Sequence, residues 1–212
     1  MIFDALAPSE LAEVLRGRLS RGLPGRASSR SMAPELAYGR HHGPVPANAR
    51  LAAVLLALVR TPSGWSIPCM LRPTTMKAHA GQVSLPGGMM ELDETPAQTA
   101  LREFEEELGI PTAQLEIVGS LSPVFVFISN FEVTPLVAVS REPLAYQPNP
   151  AEVAEVVEVP LAQLIDRAYR GSHLVRRREL AFRAPHFFIA GKQVWGATSL
   201  ILAELAALVE RG

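Results

Sequence analysis

Residues 95–111, T-P-A-Q-T-A-L-R-E-F-E-E-E-L-G-I-P, leave little choice of local structure. Thr95 suits an N-cap, Pro96 the first helical position, and Gln98 the closing residue of a capping box. Gly109 suits a left-handed C-terminal cap, and Pro111 prevents continuation. The spacing predicts a helix from about Pro96 to Leu108. Ala97, Ala100, Leu101, Phe104 and Leu108 recur at roughly 100° per residue, so that stripe packs on a core. Glu103 and Glu107 stand one turn apart on another face, with Glu106 beside them. Glu105 projects beyond the far side of the apolar stripe and reads as solvated.

An acidic helix end is ordinarily a water-facing surface. Here that reading explains little. Like charges at i,i+4 repel and carboxylates in the last turn oppose the helix dipole, each costing roughly 0.3–1 kcal/mol. Arg102 is the only cation in the helix. A divalent cation would resolve the clash, because hard oxygen ligands on one rigid face suit Mg²⁺ or Mn²⁺. The planar donors of Arg102 can orient a neighbouring carboxylate, with Glu94 the candidate. Gly87 and Gly88 permit a tight turn and a close backbone approach ahead of the helix.

Residues 88–110 spell G-x5-E-x7-R-E-φ-x-E-E-x-G-φ, with φ an apolar residue. The fixed points are Gly88, Glu94, Arg102, Glu103, Phe104, Glu106, Glu107, Gly109 and Ile110. This pattern resembles the Nudix box, a magnesium-dependent diphosphate-cleaving loop–helix–loop, at every defined position. The resemblance implies Glu103 and Glu107 as the surest metal ligands, with Glu106 a third. It assigns Glu94 and Arg102 supporting duties in catalysis. It implies an α/β fold, the Nudix-type α/β/α sandwich with a mixed β-sheet.

Upstream lies R-P-T-T-M-K-A-H-A-G-Q-V-S-L-P-G-G, residues 72–88. It resembles the extra motif of the coenzyme A diphosphatase branch, L-L-T-x-R-[SA]-x3-R-x3-G-x3-F-P-G-G. Arg72, Gly81, Pro86, Gly87 and Gly88 match. Lys77 stands for the second Arg, Leu85 for Phe, Pro73 for Ser or Ala, and Pro68-Cys69-Met70 for Leu-Leu-Thr. The segments F-E-V-T-P-L-V, V-E-V-P-L and V-W-G-A-T further along are similar to that branch in order. The resemblance implies hydrolysis of CoA or acyl-CoA to 3′,5′-ADP and 4′-phosphopantetheine, with Arg72, Lys77, Gly87 and Gly88 on the substrate. Water attacks phosphorus, and Glu103, Glu152 or Glu155 takes its proton. A diphosphatase for ADP-ribose or a similar nucleotide, and a catalytically silent nucleotide sensor, are the competing readings.

A net charge of −1 offers no bulk drive toward nucleic acid or an anionic membrane. The single Cys69 excludes an internal disulfide framework and fits a reducing compartment, as a small buried strand residue. The N-terminus lacks the basic start and apolar core of a signal peptide. The apolar run at 51–59 is too short for a bilayer. A cytoplasmic enzyme is expected, and its apolar strands and last helix would permit a homodimer.

Residues 9–22 read as an amphipathic helix and 23–49 as an irregular surface connection, together an N-terminal segment packed on a domain over 50–212. Within the connection, Arg26, Arg30 and Arg40, with His41 and His42, could contact phosphate, but a solvated loop is the preferred reading. Strands are expected at 51–60, 64–71, 115–121, 131–139 and 154–159, with two more around Phe182 and Phe187-Phe188. A helix should run from Pro160 to about Arg170, and a last one from Thr198 or Ser199. Arg176-Arg177-Arg178 reads as a solvated basic turn, with substrate contact the alternative, and His79 as either a phosphate donor or an ordered loop histidine.

Overall fold

The apolar run at the centre of the chain becomes its central strand, β1 (Arg50–Thr61). The computed structural model describes residues 2–76, 79–177 and 179–210. A turn at Thr61–Gly64 returns β1 into β2 (Gly64–Leu71), antiparallel, with Val59 opposite Ser66. β3 (Val83–Ser84) pairs with the end of β2, and β4 (Gly87–Met89) runs antiparallel along the first half of β1. β5 (Leu115–Ser120), β6 (Val124–Val126) and β7 (Phe131–Ser140) follow. β7 lies parallel to β1, Arg50 opposite Phe131 through Leu58 opposite Val139. β8 (Glu155–Pro160) closes on the other side of β2. The sheet is therefore mixed. A second, antiparallel sheet is built from β9 (Arg170–Arg177), β10 (Leu180–Ile189) and β11 (Lys192–Trp195).

The helices are α1 (Pro8–Ser20), α2 (Arg26–Ser29), α3 (Pro96–Leu108), α4 (Leu161–Ile165) and α5 (Ala197–Glu210). Successive side chains of a strand point to opposite faces, and β1 buries both. Leu56 and Leu58 join Leu11 and Leu15 of α1 and Leu200, Leu205 and Leu208 of α5. Ala53, Leu55, Ala57 and Val59 join Ala100, Phe104 and Leu108 of α3. The result is the expected helix–sheet–helix sandwich. Each fully enclosed Leu or Phe contributes about 1.5–3 kcal/mol. Among the described residues, no helix is long and apolar enough to cross a membrane.

Three expectations need correction. Residues 23–49 form α2 and three short 3-10 turns, so the segment is less irregular than expected; Ser29, Met32, Ala37 and His41 are buried and much of the rest is exposed. Its apolar residues are too sparse to show a period, yet each turn buries one residue: Met32, Ala37 and His41. The helix opened by Pro160 stops at Ile165, because Asp166 caps a 3-10 turn by accepting from the Ala168 N–H at 2.8 Å. The chain then enters β9, whose Arg, Gly, Ser and His content hides its strand character. Residues 180–189 form one strand, not two.

The last helix starts where expected, and its apolar residues are buried. Glu204 is buried with them at 3% exposure. It accepts from the Gly25 and Ser122 backbone N–H groups, each at 3.0 Å, and from the Ser122 hydroxyl at 2.7 Å. A buried carboxylate is tolerable when it is hydrogen-bonded in this way. It ties two distant loops to one helix.

Candidate active site

The capping box forms as the residues demand: Thr95 Oγ1 accepts from the Gln98 N–H, and Gln98 Oε1 accepts from the Thr95 N–H at 2.9 Å. Gly109 takes the left-handed C-terminal position, φ 67°. Just before the helix, Glu94 Oε2 accepts from the Glu91 N–H at 2.9 Å and the Thr99 hydroxyl at 2.7 Å. Arg102 meets Glu94 as a fork, Nε to Oε1 at 2.7 Å and Nη2 to Oε2 at 3.0 Å. These bonds, those from Arg102 foremost, hold the Glu94 carboxyl down to about 2. Arg102 Nη1 also donates to Glu103 Oε1 at 2.8 Å and to Glu106 Oε2 at 3.1 Å. The sole cation of the helix is thus shared among three carboxylates, and Glu107 is not one of them.

Glu107 is buried, at 3% exposure, and accepts from the Gly87 N–H at 2.8 Å. Burial pushes its carboxyl up to about 8; the Gly87 N–H and the charge of Arg72 oppose this, and Glu103 and Glu152 add to it. Burial raises Glu103 as well, against its bonds to Arg102, with Glu106 and Glu152 repelling it. Glu106 is turned toward solvent. Glu152 is brought in by a turn docked on the end of α3, where Gln147 N–H donates to Leu108 O at 2.8 Å and Asn149 N–H to Glu107 O at 2.9 Å. Glu155 instead pairs with Lys192 at 2.9 Å, so of the two downstream carboxylates only Glu152 bears on the site.

Gly87 and Gly88 lie in β4 rather than in a turn, correcting that expectation. The expected close approach is present. A Cβ on Gly88 would stand 2.3 Å from Glu103 Oε1, and one on Gly87 would stand 2.3 Å from Ala53 O. Among the described residues, no three His, Cys, Asp or Glu side chains already form a metal cage. What the fold assembles is an acidic face whose described ion pairs all run to one cation, Arg102.

On the other side of β4 lies a cavity of about 610 Å³. Its lining includes Arg72, His79, Ser84, Gly87 and Gly88. Arg72 Nε donates to Ser84 Oγ at 3.2 Å, and its charge is felt by Glu107, so this side chain couples the cavity to the acidic face. His79, in a left-handed conformation at φ 56°, contacts Gln82 Oε1 at 2.9 Å. Lys77 and Arg178 lie outside the described residues, as do the side chains of Arg26 and Arg177. Arg176 is exposed on β9, away from the cavity lining.

Sequence reading gave Arg50 and Trp195 no role and set Arg40 and His41 aside as solvated; all four are on the cavity wall. Arg40 and His41 belong to the segment read as a solvated loop. His41 is buried and donates from Nδ1 to Phe125 O at 2.9 Å. The signal available was the cluster of basic residues there, which composition alone does not direct inward.

The NUDIX domain family model matches residues 51–180, more than half of the chain. The chain belongs to the Nudix family. It is 36% identical over 167 residues to the uncharacterized Nudix hydrolase NudL of Photorhabdus laumondii, a match covering 77% of this chain and 87% of the relative. It is 37% identical over 163 residues to the uncharacterized Nudix hydrolase NudL of Escherichia coli K12, covering 75% of this chain and 82% of that one. The crystal structure of the MutT protein from Methanosarcina mazei superimposes with a TM-score of 0.52 at 18% identity, over 79% of this chain and all (100%) of that one, a likeness of fold. As a Nudix hydrolase the protein carries its box on β4, α3 and the loop between them, with the cavity at its back.

Proposed function

We propose that this Nudix hydrolase cleaves the diphosphate bond of coenzyme A or an acyl-CoA, releasing 3′,5′-ADP and 4′-phosphopantetheine. The observation that carries this reading is Arg72. It is the first arginine of the pre-box motif, lines the cavity and acts electrostatically on Glu107. A diphosphate held there would have its phosphorus beside the acidic face and its two arms free to follow the cavity. Apolar and aromatic wall residues such as Val126, Phe131, Trp195 and Ile201 suit an extended pantetheine arm.

Mg²⁺ or Mn²⁺ fits the donor set. Among the described residues Glu107 is a buried carboxylate without an ion-paired cation, and Glu103 shares its one ion-pair partner, Arg102, with Glu94 and Glu106. Glu103 and Glu107 would hold the ion, with Glu106 as a further oxygen ligand. Bound there, it neutralises charge on the diphosphate and activates water. Arg102 fixes Glu94 and the Glu103 carboxylate, so the ligand face is set before substrate arrives. Glu152, whose charge bears on both Glu103 and Glu107, would receive the proton of the attacking water. Cys69 is no rival nucleophile, being fully buried with its thiol pushed up by burial.

ADP-ribose hydrolysis is the second reading, favoured by Leu85 where the branch motif has Phe and by Lys77 where it has Arg. The test is a panel of CoA, acetyl-CoA, ADP-ribose, NADH and nucleoside triphosphates with Mg²⁺ or Mn²⁺ and product identification. Selective release of 3′,5′-ADP is expected. Cleavage of ADP-ribose alone would exclude the CoA reading, and binding without turnover would indicate a silent sensor.

A further inference from the structure

The cavity behind β4 has an unusual charge balance. Of its lining residues, among those described, only Arg40, Arg50 and Arg72 are formally charged, and no Asp or Glu is among them. None of the three has a carboxylate within ion-pairing distance among the described residues. Elsewhere Arg16, Arg102 and Arg141 do have such partners. A cleft lined by one sign of charge between low-dielectric walls focuses its potential on the opposite sign.

Arg40 and Arg50 are built alike. Arg40 lies 4.0 Å over the Phe127 ring and donates to Leu36 O at 2.7 Å and Ala37 O at 3.2 Å. Arg50 lies 3.9 Å over the Phe131 ring and donates to Ser129 O at 2.8 Å. Ring stacking and backbone anchoring fix each guanidinium plane while leaving further N–H donors for a ligand. Carbonyl partners do not neutralise the charge. Neither residue falls in the matched family region, which begins at residue 51.

The pair is also separate from the diphosphate position. Arg50 precedes Val54, the partner of Gly87, by four residues of β1, roughly 13 Å at about 3.3 Å per residue. Arg72 already serves the acidic face. Two more pre-oriented cations along the same cavity imply a ligand with a second anionic group some way from the scissile bond.

We propose that Arg40 and Arg50 form a phosphomonoester subsite, which takes the 3′-phosphate of the adenosine half of the substrate. This assignment rests on the CoA reading for its ligand, but its test needs no turnover. Binding of adenosine 3′,5′-bisphosphate and of 5′-AMP to the wild-type protein is measured by calorimetry; the two ligands differ only in the 3′-phosphate. A charge-assisted contact supports a preference of about tenfold or more for the bisphosphate. Arg40→Met and Arg50→Met should each shrink that ratio, and the double variant should bring it close to one. Arg50→Lys should retain part of it. Circular dichroism shows whether a variant has folded, and the wild-type ratio alone decides if none does. Equal affinity of the wild-type protein for both ligands, or an unchanged ratio in the folded double variant, overturns the subsite. A wild-type preference for the bisphosphate without CoA cleavage in the substrate panel would instead keep the subsite and discard the CoA reading.

Discussion

Two adjacent glycines separate function from stability at this site. A Cβ on Gly88 would meet the far end of the Glu103 side chain at 2.3 Å, and that side chain can swing away. Gly88→Ala should therefore lower kcat by about tenfold or more while shifting the thermal midpoint little, because only the carboxylate is displaced. A Cβ on Gly87 would meet backbone, Ala53 O at 2.3 Å and Val54 Cα at 2.6 Å, at φ 146°. Gly87→Ala should cost about 2 kcal/mol or more of stability, read from denaturant unfolding. Glu107 makes a pH prediction. Its folded pKa is raised from 4.5 to about 8, so the metal-free protein binds this proton more tightly folded than unfolded. Its contribution is fully present below about 4.5 and is lost as pH rises to about 8. Metal-free Glu107→Gln should then be more stable than wild type at pH 9 and no more stable at pH 4. The identities of Glu94, Arg102, Glu103 and Glu107 were readable from spacing because they sit on one helix and the residues just before it. Arg40 and Arg50 were not, since their place beside the site depends on chain packing across more than eighty residues of sequence.

At the scale of elements, α3 is the part most fully written in local sequence. Cap, apolar stripe and terminator agree with one another, and the helix runs over the expected residues. Thr95→Ala should cost about 1 kcal/mol, lowering the thermal midpoint by roughly 2–4 °C in a chain of this size. Glu94 adds an acid-side prediction of opposite sign to that of Glu107. Its folded pKa is depressed to about 2, so its contribution is present above the ordinary carboxylate range and lost as pH falls through about 2. Glu94→Gln should flatten the acid limb of the wild-type stability profile. Strands β1, β2 and β7 were also readable, being long and apolar enough to declare themselves. β9 was not, because its burial is one-sided and its composition polar. β3, β4 and β6 have two or three residues each and exist only through their partners. The helix expected after Pro160 yielded to Asp166, whose side chain favours a turn.

Across the whole molecule, the sheet does more than carry a core. Its α3 face gathers carboxylates and its α5 face backs a cationic cavity, and the two meet where β4 has no side chains at Gly87 and Gly88. In the proposed reaction, a diphosphate and a divalent ion would bridge this acidic face and the cationic cavity. Layer architecture was implied by the family resemblance and agrees with the unbroken apolar run of β1, which is covered on both faces, but the position of the cavity required the N-terminal segment, α5 and the small sheet to be packed in place. The most direct test of this account is the rate of 3′,5′-ADP release from CoA as a function of Mg²⁺ concentration, in wild type and in Glu107→Gln. The account predicts saturable metal dependence in the wild type and a loss of about a thousandfold or more in a folded variant. Equal rates in the two proteins, or wild-type turnover that persists in excess chelator, would contradict it.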